Sequence, residues 1–295
     1  MRPTPMDRLP ENLRGAVWMV AAMAGFAVED LLLKIVARGM PVGQILMIFG
    51  LGGALAFALL AQARGERVLH PAALSRAVIV RAGFEVTGRL VYTLALALTP
   101  LASASAILQA TPLVVVAGAA LIFGETVGWR RWSAIAVGFL GVLVILRPGL
   151  DGFSALSVLA VIGLIGFAGR DLATRAAPPV LTSLVLGVYG FAAMVPAGAV
   201  LLGWTGGAVV PGAATAGVLA VTIIIGVAAY FALTLAMRTG EVSAVTPFRY
   251  TRLVFALILA TVFLGERPDG WTLAGAAMVV ASGLYTLART NRRRS

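Results

Sequence analysis

The chain has no cysteine, a single histidine and little charge, and each shortage removes a class of function. Without cysteine, disulfide bonds and Cys-ligated metal or haem sites are excluded. His70 stands outside any cluster of carboxylates, and the sequence contains no Gly-rich nucleotide-binding motif. We therefore expect no enzyme activity, no metal site and no cofactor.

The scarcity of charge also defines the class of protein. Charged residues make up 12% of the 295 residues, whereas hydrophobic residues make up 60%. Soluble domains are about one quarter charged, so this chain has too little polar surface to cover itself in water and is predicted to be an integral membrane protein. The net charge of +11 lies mostly between apolar runs and at the chain ends. This distribution is typical of membrane topology and lipid-surface anchoring rather than of nucleic-acid binding.

The sequence contains an internal repeat. The heptad 25–31 (GFAVEDL) recurs as 166–172 (GFAGRDL), 141 residues later. Gly124-Glu125 recurs at the same offset as Gly265-Glu266. Matches in one register predict two copies of a single unit.

Ten apolar stretches are long enough to cross a bilayer core of about 30 Å as helices. Their predicted spans are 15–37, 42–62, 78–98, 101–123, 131–147, 155–176, 180–203, 214–237, 242–264 and 271–288. The predicted fold is an all-α integral membrane protein whose ten transmembrane helices form two five-helix repeats around a central cavity. Because each repeat has an odd number of spans, the second repeat must enter the membrane inverted.

The arginine clusters agree with this inversion. Basic residues cluster in the N-terminal segment, in the second and fourth loops and in the tail, all on one side if both termini are cytoplasmic. We predict a cytoplasmic segment at 1–14, the first repeat at 15–147, the second at 155–288 and a basic cytoplasmic tail at 289–295. The predicted location is the inner membrane of a bacterium.

Ionisable side chains inside membrane spans are costly, and they normally face a bundle interior or a wet cavity. Three acid–base pairs stand four residues apart, a spacing that places both members on one helix face. They are Asp30–Lys34, Glu85–Arg89 and Asp171–Arg175. The first and last are repeat equivalents, and we expect the members of each to neutralise one another.

Arg249 and Arg252, in the ninth span, have no acidic residue three or four positions away. One hypothesis is that Glu85 pairs across the bundle with one of these arginines and helps to close the cytoplasmic side. The alternative is that an arginine binds the carboxylate of a substrate, because the forked guanidinium suits that group. The sequence leaves both open.

Further polar and aromatic side chains near mid-span complete a predicted site. The predicted substrate-binding residues are Tyr92, Gln109, Thr111, Tyr230, Thr246, Arg249, Tyr250 and Arg252. For the tyrosine, glutamine and threonine residues, a packing role in helix contacts is the alternative. Pro112 and Pro247 lie inside spans four and nine, where each removes a backbone donor and can kink the helix. Helix breaks in both halves point to a central binding site. We therefore predict gating or coupling roles for Pro112 and Pro247, and the same roles for the charged residues Glu85 and Arg89.

The ends of the fourth helix of each half carry a resemblance. Phe123-Gly124-Glu125 and Leu264-Gly265-Glu266 occupy equivalent positions, and ten spans with these ends resemble the drug/metabolite transporter superfamily. Within it the chain is similar to EamA-type exporters, and among those to YddG-type exporters, whose substrates include aromatic amino acids. The resemblance covers nearly the whole chain and implies a basket of helices around a central cavity. It assigns no binding residue to a position here.

These observations predict a secondary transporter that exports small metabolites, foremost amino acids with aromatic or hydrophobic side chains, by alternating access. The expected partners are the lipid bilayer and a small-molecule substrate, with no nucleic acid, and a monomer is expected to function. The alternatives are an exporter of other drugs or metabolites and a passive channel. A membrane-embedded enzyme is disfavoured because no nucleophile–base or metal constellation is present. The exact substrate and the energy source are not encoded in recognisable residues.

Overall fold

The computed structural model describes residues 10–37, 39–98, 107–146, 157–264 and 269–292, and the regular structure in these ranges is helical, without a strand. The helices are α1 (Glu11–Val36), α2 (Val42–Ala63), α3 (Arg76–Leu98), α4 (Thr111–Phe123), α5 (Trp129–Leu146), α6 (Ser157–Ala176), α7 (Ser183–Thr205), α8 (Ala213–Arg238), α9 (Val242–Val245), α10 (Thr251–Leu264) and α11 (Gly270–Arg292), with 3-10 turns at Pro71–Leu74 and Thr246–Tyr250. The second Gly-Glu, residues 265–266, and the side chains of Asp30 and Lys34 lie outside the described part.

Within the part of the chain that the structure describes, five segments are long and apolar enough to cross a membrane. They are Glu11–Leu33, Val42–Ala63, Ser183–Thr205, Ala213–Arg238 and Val242–Phe263. The helices α3 and α6, which carry the charges predicted inside spans three and six, are not among them. Because these two helices carry charged side chains, their charged faces require burial within the protein if they cross a membrane.

Both predicted proline sites coincide with interruptions of α-helical structure. Pro112 is the second residue of α4, directly after a non-helical turn at 109–110, so it begins a helix instead of kinking one from inside. Pro247 lies in the 3-10 turn that separates α9 from α10. Proline lacks a backbone donor, and the first turn of a helix tolerates it for that reason.

The main helix contacts join the two repeats. The helix α2 packs on α7, α3 on α6, α1 on α8, and α5 on α11. At the repeat offset, α1 corresponds to α6, α2 to α7, α3 to α8 and α5 to α11. Exchange of the two repeats therefore converts the α3–α6 contact into the α1–α8 contact and leaves the other two pairs unchanged.

Small residues allow the two equivalent contacts to be very close. A methyl group on Gly166 of α6 would lie 2.5 Å from the Cα atom of Gly88 in α3. At the equivalent position, a methyl group on Gly25 of α1 would lie 2.8 Å from the Cβ atom of Ala229 in α8. Membrane helices gain van der Waals contact through such close approach of their backbones. The contact of Gly88 with Gly166 holds α3 against α6 about one helical turn after Glu85.

Candidate functional site

A cluster of charged and polar side chains is buried where α3 meets α6, α8 and the 3-10 turn. We call it the interface network. Its members are Arg81 and Glu85 of α3, Arg170, Asp171 and Thr174 of α6, Tyr230 of α8 and Arg249 of the 3-10 turn. By the repeat offset, α3 belongs to the first repeat and the other three elements belong to the second. The network therefore bridges the two halves of the chain.

Glu85 is completely buried and accepts hydrogen bonds from two side chains of the second repeat. Arg170 Nη1 lies 3.3 Å from Glu85 Oε1, and the hydroxyl of Tyr230 donates to Glu85 Oε2 at 2.8 Å. A buried carboxylate requires a counter-charge and donors for its oxygens, since burial of an unpaired charge is strongly unfavourable. Among the described residues, the groups that meet both requirements of Glu85 lie across the interface.

Asp171 joins two arginines. Its Oδ1 atom lies 2.9 Å from both Nε and Nη2 of Arg170, and its Oδ2 atom accepts a hydrogen bond from Arg249 Nη1. Only 14% of the Arg249 side chain is exposed, yet it is the most exposed charged member among the ion pairs of the network. The chain of contacts Glu85–Arg170–Asp171–Arg249 thus runs continuously from α3 to the 3-10 turn.

Arg81 is 1% exposed and completes the network on the α3 side. Its Nε atom donates to Thr174 Oγ1 at 2.9 Å, and its Nη2 atom donates to the Tyr230 hydroxyl at 2.6 Å. Space for this contact comes from Gly190 of α7, where a methyl group would lie 2.0 Å from the Tyr230 hydroxyl oxygen. A larger residue at that position would displace the tyrosine.

The structure changes the pairing predicted from spacing. Glu85 pairs with Arg170 instead of Arg249 or Arg252, and Asp171 pairs with Arg170 and Arg249 instead of Arg175. Residues four apart share a helix face, but the opposite helix supplies partners in better geometry. The expectation of mutual neutralisation was therefore wrong for Asp171–Arg175. For Asp30–Lys34 the side chains lie outside the described residues.

A second group, which includes the predicted residues Arg89 and Tyr92, surrounds the aromatic ring of Phe167, a residue that the sequence did not single out. The guanidinium carbons of Arg170 and Arg89 lie 5.2 and 5.8 Å from its centroid, distances typical of cation–π contacts. The ring of Tyr92 meets it edge-on at 5.8 Å. Arg252 makes the corresponding contact with Phe26 of α1, at 5.3 Å. These arginines thus lie against aromatic faces.

The remaining predicted site residues are not drawn into the interface network. Tyr250 is fully buried against Val142 of α5 and Val279 of α11. Thr246 is also fully buried. The hydroxyl of Thr111 donates to the carbonyl of Leu108 at 2.5 Å across the turn before α4, and Gln109 is half-buried in that turn.

A polar cluster closes one end of the bundle, which we call the latched end. The carboxylate of Glu125 accepts hydrogen bonds from the backbone amides of Val242 and Ser243 at 3.0 and 3.1 Å. Gly124 makes this reach possible because it ends α4 in the left-handed conformation, with φ of 65°. A carboxylate at the first amides of a helical segment satisfies donors that have no partner inside it.

Two other elements hold the same segment at the latched end. Arg131 of α5 forms an ion pair with Glu241 and donates to Ser243 Oγ at 2.7 Å. The side-chain Oδ1 atom of Asn12 in α1 accepts a hydrogen bond from the backbone amide of Glu241 at 2.8 Å. Three segments of the first half of the chain therefore hold the start of α9. The Gly-Glu motif thereby acquires a structural role that the sequence alone did not reveal.

Comparisons with known proteins place the chain among membrane transporters. A family model described as "EamA-like transporter family" matches residues 13–147 and again residues 153–288. The chain is 29% identical to a riboflavin transporter of Rhizobium johnstonii over 75% of its own length and 71% of the relative's. It is 28% identical to the pseudopaline exporter CntI of Pseudomonas aeruginosa over 94% and 97%.

Two further similarities complete the comparison. An S-adenosylmethionine uptake transporter of Rickettsia prowazekii is 26% identical, with 66% of each chain covered. A solved crystal structure of a protein superposes with a TM-score of 0.79 at 20% identity, over 95% of this chain and 99% of that one. At that identity the superposition establishes the fold alone.

Proposed function

This chain belongs to the EamA-like transporter family and is a membrane transporter of small metabolites, and we propose that it exports amino acids, aromatic and hydrophobic ones included, by alternating access. The observation that carries the proposal is the interface network, with Glu85 of the first repeat paired to Arg170 of the second. Charged groups inside a membrane span are costly and normally mark a substrate pathway or a coupling site. Here they lie on the boundary between the halves that alternating access moves against each other.

We propose ten transmembrane helices in two inverted repeats, at 15–147 and 155–288, preceded by the segment 1–14 and followed by the tail 289–295. The exchange of contacts between equivalent helices supports a two-fold relationship. Both termini are proposed to be cytoplasmic, in the inner membrane of a bacterium, because the arginine-rich loops then lie on one side. The latched end is then the cytoplasmic end, and the functional unit is a monomer.

In this orientation the interface network and the latched end close the cytoplasmic side in two layers. Arg81 and Glu85 lie in the first ten residues of α3, and Arg170 and Asp171 lie in the last seven of α6. The tight contact of Gly88 with Gly166 lies on the far side of these charges from the latched end. Pivoting at that contact would separate the charged residues and open a path from the cytoplasm.

The proposed substrate site combines cationic and aromatic side chains. Arg249 is the network arginine with the greatest exposure, which favours it for binding a substrate carboxylate. Tyr92, Gln109, Thr111, Tyr230, Thr246, Tyr250 and Arg252 are proposed to complete the site, with Glu85, Arg89, Pro112 and Pro247 in gating or coupling. Riboflavin and S-adenosylmethionine, named for two relatives, both contain aromatic ring systems, which agrees with aromatic side chains in the pathway.

The proposal is tested by reconstituting the protein in proteoliposomes and measuring movement of labelled compounds with and without a pH gradient. The panel contains aromatic, aliphatic and charged amino acids together with riboflavin and S-adenosylmethionine. We expect saturable transport of aromatic amino acids that Arg249→Gln weakens chiefly through a raised KM, since the guanidinium addresses the carboxylate. The corresponding amino acid amides, which lack the carboxylate, serve as matched compounds and should be poorly transported.

The same assay measures direction, because vesicles of known orientation separate efflux from uptake. Transport of riboflavin or S-adenosylmethionine without any amino acid would overturn the substrate class and leave the transporter itself intact. Equal transport of amino acids and their amides would contradict the role of Arg249 in carboxylate binding.

A further inference from the structure

Arg81 is a buried cation that has no acidic partner of its own within the described ranges. Among the described residues no carboxylate contacts it, and only two of its three guanidinium nitrogens donate hydrogen bonds there. Nε and Nη2 donate to Thr174 and Tyr230, whereas the buried Nη1 forms no hydrogen bond within the described part of the chain. A guanidinium has only donors, so a buried nitrogen without an acceptor is unfavourable in this arrangement. The arrangement therefore leaves Arg81 with an unused donor.

The direction of the hydrogen bonds follows from the same chemistry. Because Arg81 must donate to the Tyr230 hydroxyl, the single hydrogen of that hydroxyl points to Glu85 Oε2. Tyr230 thus separates an arginine and a glutamate that stand four residues apart on one face of α3. The two charges are close neighbours that are bridged instead of paired.

Among the described residues, the side-chain partners of Glu85 and Arg81 all belong to the second repeat. Glu85 is bound by Arg170 and Tyr230, and Arg81 by Thr174 and Tyr230. If α3 separates from α6 and α8 at this level, Glu85 loses its counter-charge at the moment when Arg81 loses its acceptors. Each then lacks what the other can supply, and their spacing on the helix allows direct contact.

We propose that Arg81 is the reserve partner of Glu85, which takes the place of Arg170 when the cytoplasmic side opens. Exchange of one arginine for another keeps the carboxylate paired in both states, so opening does not leave an uncompensated charge inside the membrane. Arg81 is therefore a positioning residue of the transport cycle. The inference rests on the proposed alternating access.

The test uses the absence of cysteine from the chain. Ala177 is 4% exposed and packs in an apolar cluster with Phe57 and Val78 of the first repeat, so a cysteine there is shielded while the cytoplasmic side is closed. Ala177→Cys is labelled with a membrane-impermeant maleimide from the cytoplasmic face. Arg64→Cys, in the exposed loop after α2, reports reagent access in every variant.

Removal of the two arginines should have opposite effects. Arg170→Gln removes the partner of the closed state and is expected to raise the labelling rate of Ala177→Cys about tenfold. Arg81→Gln removes the partner of the open state and is expected to lower that rate about tenfold. Addition of Glu85→Gln to Arg81→Gln should restore labelling, since a neutral amide needs no counter-charge, and Arg81→Lys should retain it.

A purely structural role for Arg81 predicts a different pattern. Faster labelling in Arg81→Gln, unchanged labelling, or a double variant that stays slow would each overturn the reserve-partner proposal. If Arg81→Gln fails to fold, the labelling rates of Arg81→Lys and of the double variant Arg81→Gln/Glu85→Gln test the proposal. Slow labelling of Ala177→Cys in either variant contradicts it. Unchanged labelling in Arg170→Gln contradicts instead the cytoplasmic gate of the proposed function.

Discussion

Arg170 of the second repeat lies 3.3 Å from Glu85 of the first, and both side chains are buried. Among the described ion pairs, neither residue is paired with a partner three or four positions away on its own helix, and the acid that Arg170 contacts on α6 is its direct neighbour Asp171. The ion pair therefore depends on the contact between α3 and α6. It reports whether the two halves are together at this level.

Substitution of Glu85 should be costly. Glu85→Ala leaves Arg170 without one acceptor and the Tyr230 hydroxyl without another, and removal of one member of a buried pair destabilises by about 3–5 kcal/mol. The free energy of unfolding in detergent micelles, measured by SDS titration, checks this value. Glu11→Ala, at the exposed start of α1, is the matched control and should stay within about 0.5 kcal/mol. Equal effects of the two substitutions would show that the Glu85 contacts contribute nothing to stability.

Tyr230→Phe should separate a network role from a packing role. The substitution keeps the ring that packs against Phe191 at 5.1 Å but removes the hydroxyl shared by Arg81 and Glu85. We expect a loss of about 1–3 kcal/mol in stability, together with a clear fall in kcat for transport. Tyr189→Phe, which removes a hydroxyl that donates to the Val68 carbonyl at 2.8 Å, is the comparison and should leave transport unchanged. Equal transport by the two variants would contradict the bridging role of Tyr230.

The cap formed by Glu125 can be tested by amide exchange. Glu125→Ala removes the acceptor of the Val242 and Ser243 amides, and loss of a helix cap costs about 0.5–2 kcal/mol. Hydrogen–deuterium exchange should therefore be faster in a peptide that covers 241–250, with little change in α7. The Glu11→Ala variant should exchange as the parent does. Unchanged exchange at 241–250 in Glu125→Ala would mean that the latched end does not depend on this carboxylate.

Gly190 and Gly217 form a matched pair of glycines in helices. A methyl group at Gly190 would lie 2.0 Å from the Tyr230 hydroxyl oxygen, whereas nothing lies within 4 Å of one at Gly217. Gly190→Ala should displace Tyr230 and reduce both stability and transport. Gly217→Ala should stabilise the protein by up to about 1 kcal/mol, since alanine loses less backbone entropy in a helix. Thermal unfolding in detergent distinguishes them, and stabilisation by both would contradict the crowding at Gly190.

Much of the fold was accessible from the sequence because its signals are local or periodic. The apolar stretch at 42–62 predicted α2 (Val42–Ala63) within one residue at its end. The internal repeat agrees with the two matches of one family model, at 13–147 and 153–288, and its offset relates the α3–α6 contact to the α1–α8 contact. Pro247 signalled the interruption between α9 and α10, because a missing donor has a local consequence.

The partners of the charged residues were less accessible. Spacing placed Asp171 and Arg175 on one face but could not reveal that Arg249, 78 residues further along the chain, reaches Asp171. Arg81 was missed, although it stands four residues before Glu85 and eight before Arg89 on the same helix face. Contacts between helices depend on how the faces meet, and a single sequence contains no direct signal for that.

The central claim, a carrier whose halves alternate, is tested most directly by counterflow of a labelled amino acid in proteoliposomes. Unlabelled substrate inside the vesicles should accelerate entry of the labelled compound and drive it transiently above its equilibrium level, and Glu85→Gln should weaken this stimulation, because the gate loses its ion pair. Entry of the label at the same rate with and without internal substrate would contradict the account and indicate a passive pore.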